Sequence, residues 1–205
     1  WITAPAGHAA ALLRLLGGDG LHARKGTTTD FNNIFWASVT DKRDGLVEVE
    51  NNQSDQGHQV ERQRAWIEED LVYPLARGQD VGRFSVKQPS FAIILPQRGM
   101  RAFDRRTMES RFPRALAYFE QYEAEACCGC RVGSTCRKGL VHRGSFANPK
   151  YGGAMGEYWG VWNVGPYTFA PYKVAWKEVS SRFEAAVLST TDHEGLGRRL
   201  HIPDH

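Results

Sequence analysis

The tightest constraint on this chain is a short run, Leu46-Val47-Glu48-Val49-Glu50, that follows directly on Asp41-Lys42-Arg43-Asp44-Gly45. Strict apolar/charged alternation puts every second side chain on one face of an extended strand, so the run predicts a half-buried strand. The polar, glycine-ended stretch before it predicts a turn, and Ile34 to Val39 supplies a preceding strand. The two strands then form a β-hairpin. A chain committed to an antiparallel pair here must bury one face of it against something else.

Further segments indicate what that something is. Phe84 to Val86 and Phe91 to Leu95 read as strands, the second closed by Pro96. Tyr158 to Trp162, Tyr172 to Trp176 and Phe183 to Leu188 read as three more. Ala65 to Leu75 is mixed, with Pro74 limiting any helix. Arg105 to Glu125 predicts a helix from Phe112, Ala115, Phe119 and Tyr122, which recur every three or four residues. A shorter helix is expected from Thr3-Ala4-Pro5 through Leu16, stopped by Gly17-Gly18. Strands grouped around a few helices, without a βαβ rhythm, predict an α+β fold: a mixed or antiparallel sheet with β-hairpins and a few packed helices.

The length of 205 residues suits a single domain over 1–205, with 98–143 as a basic helix plus a cysteine-containing loop. Hydrophobic residues make up 41% and charged residues 24%, the balance of a soluble globular chain. No run approaches the roughly 20 apolar residues of a membrane span. The apolar run Ala9 to Leu16 is short, broken by Arg14 and without a basic leader, unlike a signal peptide. Trp1 stands where an initiator Met would, so a piece of a longer polypeptide is expected.

The net charge of +3 excludes a polybasic binder, but its distribution is uneven. Arg98 to Arg143 holds ten Lys/Arg against five Asp/Glu, as a surface facing a polyanion requires; a solvated helix face would look the same. The cysteines Cys127, Cys128, Cys130 and Cys136 include one chelating pair, Cys127-x2-Cys130, but neither Cys136 nor His142 completes a standard zinc knuckle. A reduced loop cluster without metal is expected. No glycine loop has the spacing of a dinucleotide fingerprint or a P-loop, and Gly-x-Ser-x-Gly, His-Glu-x-x-His and Glu-x-Lys are all absent.

Polar loops offer the remaining chemistry. Arg24-Lys25-Gly26-Thr27-Thr28-Thr29 with Asn32-Asn33 combines cations that can meet phosphates with hydroxyls and amides that can reach base edges. Arg77-Gly78-Gln79-Asp80 and Arg83 form a second such loop, in which Asp80 either pairs with Arg77 or caps a helix. Tyr158 to Tyr167 is strongly aromatic, and Tyr172-Lys173 follows. Asn148-Pro149-Lys150-Tyr151 approximates the Asn-Pro-Pro-Tyr tetrapeptide of adenine methyltransferases, with Lys150 in place of the second proline. It reads as a loop.

Three blocks in order carry a resemblance. They are Ala23-Arg24-Lys25-Gly26-x-Thr28-Thr29 with Asn32 and Phe35-Trp36; Asp70-Leu71-Val72-Tyr73-Pro74-Leu75-x-Arg77-Gly78-x-Asp80-Val81; and Asn163-Val164-Gly165-Pro166-Tyr167-Thr168-Phe169-Ala170-Pro171-Tyr172-Lys173-Val174-x-Trp176. Together they resemble the C-terminal target-recognition region of prokaryotic N6-adenine DNA methyltransferases of restriction–modification or phage-defence systems. The resemblance implies a target-recognition-like fold, double-stranded DNA as partner, and a catalytic methyltransferase domain of the same chain. S-adenosylmethionine would belong to that missing domain; no cofactor and no catalytic residue is expected in this one. It implies a cytoplasmic setting. Lys25, Arg77 and Lys173 become candidates for phosphate positioning, with Arg24 and Arg83 beside them. Thr28, Thr29, Asn32 and Asn33 become candidates for polar readout. The rival readings are a stand-alone specificity subunit of a multi-subunit restriction system and a carbohydrate- or protein-binding module using exposed aromatics.

Overall fold

A computed structural model describes residues 23–52, 60–123 and 139–204. The opening helix expected before Gly17 and the four cysteines lie outside these. The fold is α+β. Its centre is a six-stranded sheet of β1 (Trp36–Arg43), β2 (Leu46–Asn51), β3 (Arg64–Glu68), β4 (Val72–Ala76), β7 (Ala92–Ile94) and β12 (Ile202–Pro203), in the order β12-β4-β7-β1-β2-β3. All neighbours are antiparallel except β12 and β4. Three small hairpins accompany it: β5 (Val81–Gly82) with β6 (Ser85–Val86), β8 (Lys173–Trp176) with β9 (Ala185–Leu188), and β10 (Thr190–His193) with β11 (Gly197–Leu200).

The expected β1–β2 hairpin is present, with Arg43 opposite Leu46. Its two turn residues both take positive φ, Asp44 at 51° and Gly45 at 74°. That geometry matches the right-handed twist of the flanking strands and is available to Asp-Gly at little steric cost. Val47 and Val49 are fully buried on the inner face. The first strand starts later than Ile34, because the chain first makes a single helical turn, α1 (Asn32–Phe35). The Phe31 carbonyl accepts from Ile34 N at 2.9 Å, and the Ile34 carbonyl accepts from the Tyr118 hydroxyl at 2.7 Å.

Ala65 to Leu75 resolves into the two strands β3 and β4, joined by a 3-10 turn over Glu69–Leu71. Pro74 is tolerated inside β4. Leu75 N donates to Phe91 O across the β7 flank, so by alternation the Pro74 nitrogen faces the other flank, where only the two-residue β12 pairs.

The helix expected over Arg105–Glu125 is two helices, α2 (Arg105–Arg111) and α3 (Pro113–Glu120). Phe112, at φ −136° and ψ 49°, breaks the continuity, and Pro113 opens the second helix where its missing N–H costs nothing. The distant Glu68 carboxylate accepts from Arg114 N and Ala115 N, each at 2.9 Å. It thereby satisfies donors that a helix start leaves unpaired and places negative charge at the positive end of the dipole. Against β3, α3 brings Ala115, Leu116 and Phe119 into the core, with the Phe35 and Phe119 rings 5.3 Å apart. A buried ring of this kind contributes about 1.5–3 kcal/mol.

Tyr158 to Trp162 is not a strand. It forms only an isolated bridge, at Trp162, and a side chain serves the residue before it: Val161 N donates to Gln97 Oε1 at 2.6 Å, and Gln97 Nε2 donates back to Val161 O at 3.0 Å. The hairpin β10–β11 was unmarked by alternation. Its Gly195, at φ +81°, rests on β1 so closely that an added Cβ would lie 2.6 Å from Val39 Cγ1.

Candidate nucleic-acid interface

Two-residue β12 is the junction of the three sequence blocks. Thr27 N donates to Pro203 O at 2.9 Å, and Asp204 N donates to Ala76 O at 2.9 Å. One residue on, Thr28 and Trp162 exchange backbone hydrogen bonds at 2.9 and 3.0 Å. Asn163 Nδ2 donates to Thr28 Oγ1 at 3.1 Å. Tyr73 in β4 meets Phe169 edge-on, with ring centroids 5.9 Å apart. Stretches separated by more than a hundred residues therefore meet at one edge of the sheet.

Beneath this junction lies Arg143, 2% exposed. Its Nη1 donates to Thr29 O at 2.7 Å, and its Nη2 donates to Tyr158 O at 3.0 Å and to Gly160 O. Burial lowers its pKa to about 10, partly opposed by the Asp30 carboxylate. The guanidinium still carries charge at neutral pH, and three carbonyls from two segments share it. Asp30 in turn accepts from Ser145 N at 2.6 Å. Arg143 closes the basic segment whose charge suited either a polyanion-facing surface or a solvated helix face, yet it faces inward; nothing in its local sequence marks it as buried.

The expected site residues divide in two. Thr29 and Asn33 are buried; Thr29 donates to Asn32 Oδ1, and Asn33 Oδ1 accepts from Asn52 Nδ2 at 3.4 Å. Thr28 is half-buried and holds Asn163. Arg77 Nε and Nη2 donate to Asp80 at 3.1 and 3.3 Å, and its guanidinium lies 4.8 Å from the Phe91 ring. Asp80 also accepts from Arg77 N at 3.0 Å, so it both pairs with the arginine and holds the turn. Lys173 Nζ donates to Thr168 O at 3.1 Å and Ala170 O at 2.9 Å, and burial lowers its pKa to about 8. These side chains are engaged within the fold. Arg24, Lys25, Asn32 and Arg83 are exposed. Arg24 sits over the Tyr167 ring at 5.5 Å, Lys25 Nζ stands 4.0 Å from Glu178, and Arg83 lies over Phe84.

Sequence reasoning did not single out the arm beside these cations. The β8–β9 ribbon leans on β5–β6, with Phe84 N donating to Ala185 O at 2.9 Å. Tyr172, Val174, Trp176, Val179, Phe183, Val187 and Phe84 are all exposed there, Phe84 by 83%. Lys177 and Glu184 pair across the base of the ribbon's tip. Arg182 and Lys87 both act on the Glu184 carboxylate, which is held below the usual range first by its hydrogen bond from Lys177. The sequence marked Phe84 to Val86, Tyr172 to Trp176 and Phe183 to Leu188 as strands; the convergence of their exposed side chains depends on pairing between distant hairpins.

Asn148-Pro149-Lys150-Tyr151 starts a helix, α5 (Pro149–Met155), which follows the short α4 (Gly144–Ala147). Asn148 Oδ1 caps it by accepting from Lys150 N at 2.9 Å, and the Tyr151 ring lies 4.6 Å from Trp162. Among the described residues there is no group of three or more His, Cys, Asp or Glu placed to hold a metal ion, and no helix is long and apolar enough to cross a membrane. No family model matches the chain, and no curated protein matches it.

Proposed function

We propose that this chain is the DNA sequence-recognition domain of an N6-adenine-specific DNA methyltransferase, non-catalytic by itself. The observation that carries the reading is convergence. The three blocks that resemble such regions meet around β12; Arg24 is exposed there over Tyr167, exposed Lys25 faces Glu178 of the β8–β9 arm, and Arg83, Lys87 and Arg182 belong to that arm and the β5–β6 hairpin it leans on. Exposed cations supply the phosphate contacts that set register on a duplex. Arg77, Lys173, Thr29 and Asn33 then act as positioning residues, holding the loops that present those cations. Methyl transfer belongs to a separate domain of the longer protein, which binds S-adenosylmethionine. In this chain Asn148 serves as a helix cap, and no glycine loop of the required spacing occurs in the sequence.

With a net charge of +3, few phosphates are neutralised at once. The expected dissociation constant for a mixed-sequence duplex is on the order of micromolar or weaker at physiological salt. Fluorescence anisotropy across a salt series tests this, with a glycan array run beside it. Weak, salt-sensitive duplex binding supports the reading. Salt-independent retention on glycans would replace it with a carbohydrate-binding module.

A further inference from the structure

The outer face of the β8–β9 ribbon is apolar, and no described element covers it. Val174 lies opposite Val187, and Trp176 lies opposite Ala185. Val174 and Val187 are each 61% exposed, while Ala186 and Leu188 on the other face are buried. Lys173 ties the start of the ribbon to the carbonyls of Thr168 and Ala170, so the ribbon is anchored at its base and offered at its face.

The charges around it narrow the occupant. Lys25, Arg83, Lys87, Lys177 and Arg182 surround this arm, against Glu178 and Glu184. A cationic rim around an apolar centre is complementary to the phosphates that flank a duplex groove. A two-stranded ribbon, with strands about 4.8 Å apart, enters a duplex major groove about 12 Å wide. The face it would bring there is apolar, Val174 and Val187 with Trp176 beside them, and the one apolar group the major groove presents is the C5-methyl of thymine.

From this juxtaposition of an exposed Val174–Val187 face and a cationic rim, we infer that the β8–β9 ribbon enters the DNA major groove and reads thymine methyl groups. This rests on the DNA-recognition reading above and adds the chemical class of base that the site selects.

The test compares two 30-base-pair duplexes of one mixed sequence, the second carrying deoxyuridine at every thymine. The full chain should bind the thymine duplex about three- to tenfold more tightly at equal salt. A Val174→Ser, Val187→Ser double variant should lose that preference yet keep the salt dependence; circular dichroism checks that it folds. Equal affinity of the unaltered chain for the two duplexes overturns the inference and leaves DNA recognition standing. So does sedimentation showing a self-associated chain that the double variant converts to monomer, since the face would then cover a second copy. Absence of any salt-sensitive duplex binding overturns both readings.

Discussion

Two hairpins in this molecule alternate in burial with the same period and turn their valines to opposite fates. In β2, Val47 and Val49 are fully buried while Glu48 and Glu50 point outward. In β8, Val174 and Trp176 point outward while Lys173 and Ala175 face in. The period of two is the signature of a strand in both cases. Which face is covered is decided elsewhere: the sheet holding β2 shares its core with α3, and no described element covers the outer face of the ribbon. Alternation thus predicts a strand, and an uncovered apolar face of one points to a surface with work to do.

The largest effect should come from placing the same charge in the two hairpins. Val49→Asp buries a carboxylate without a partner and should cost at least about 4 kcal/mol or prevent folding. Val187→Asp should stay within about 0.5 kcal/mol. Urea unfolding of both variants checks this, and a large loss from Val187→Asp would break the contrast.

Arg143→Met should rank next, at about 3 kcal/mol. It leaves the Thr29, Tyr158 and Gly160 carbonyls unpaired in a buried site. Arg143→Lys should rescue only part of this, because an ammonium cannot reproduce the planar fork.

A smaller effect should appear with acid. His193 and His201 lie near the seam between the ribbon and the sheet. Their Nε2 atoms are buried and without a hydrogen-bond partner among the described residues. Burial holds both pKa values below the ordinary imidazole value. The nearby charges are Glu194 for His193, and Lys173, His193 and Asp80 for His201. The folded state therefore binds fewer protons than the unfolded one. Stability should be fully present above about pH 6.5 and fall as the pH drops below it. Amide exchange should rise in β9 and β10 before β1 and β2, and His201→Gln should flatten the pH dependence of the melting temperature. Simultaneous loss of both regions would contradict a separable seam.

Legibility followed the range of the interactions. The β1–β2 hairpin was readable because its alternation and its turn residues are all local. The helical period of Phe112, Ala115, Phe119 and Tyr122 was local, but the helix break was not, since the group that caps the second helix is Glu68, 46 residues before Arg114. β12 has two residues and no pattern of its own; Thr27 and Ala76 define it. At the candidate site, the Arg77–Asp80 pair was foreseeable at a spacing of three. Inward-facing Lys173 depends on the 3-10 turn over Pro166–Phe169, and buried Arg143 depends on two distant segments closing over it.

The central claim is that the exposed cations meet DNA phosphates while the inward-facing ones hold the surface in shape. The most direct measurement is the slope of log affinity against log salt for a mixed-sequence duplex, compared among single variants. Lys25→Ala and Arg83→Ala should each flatten the slope by about 0.9, one phosphate contact apiece. Lys173→Met, whose Nζ is occupied by Thr168 and Ala170 carbonyls, should leave the slope unchanged. An unchanged slope in both surface variants, or a flattened one in Lys173→Met alone, would contradict the account.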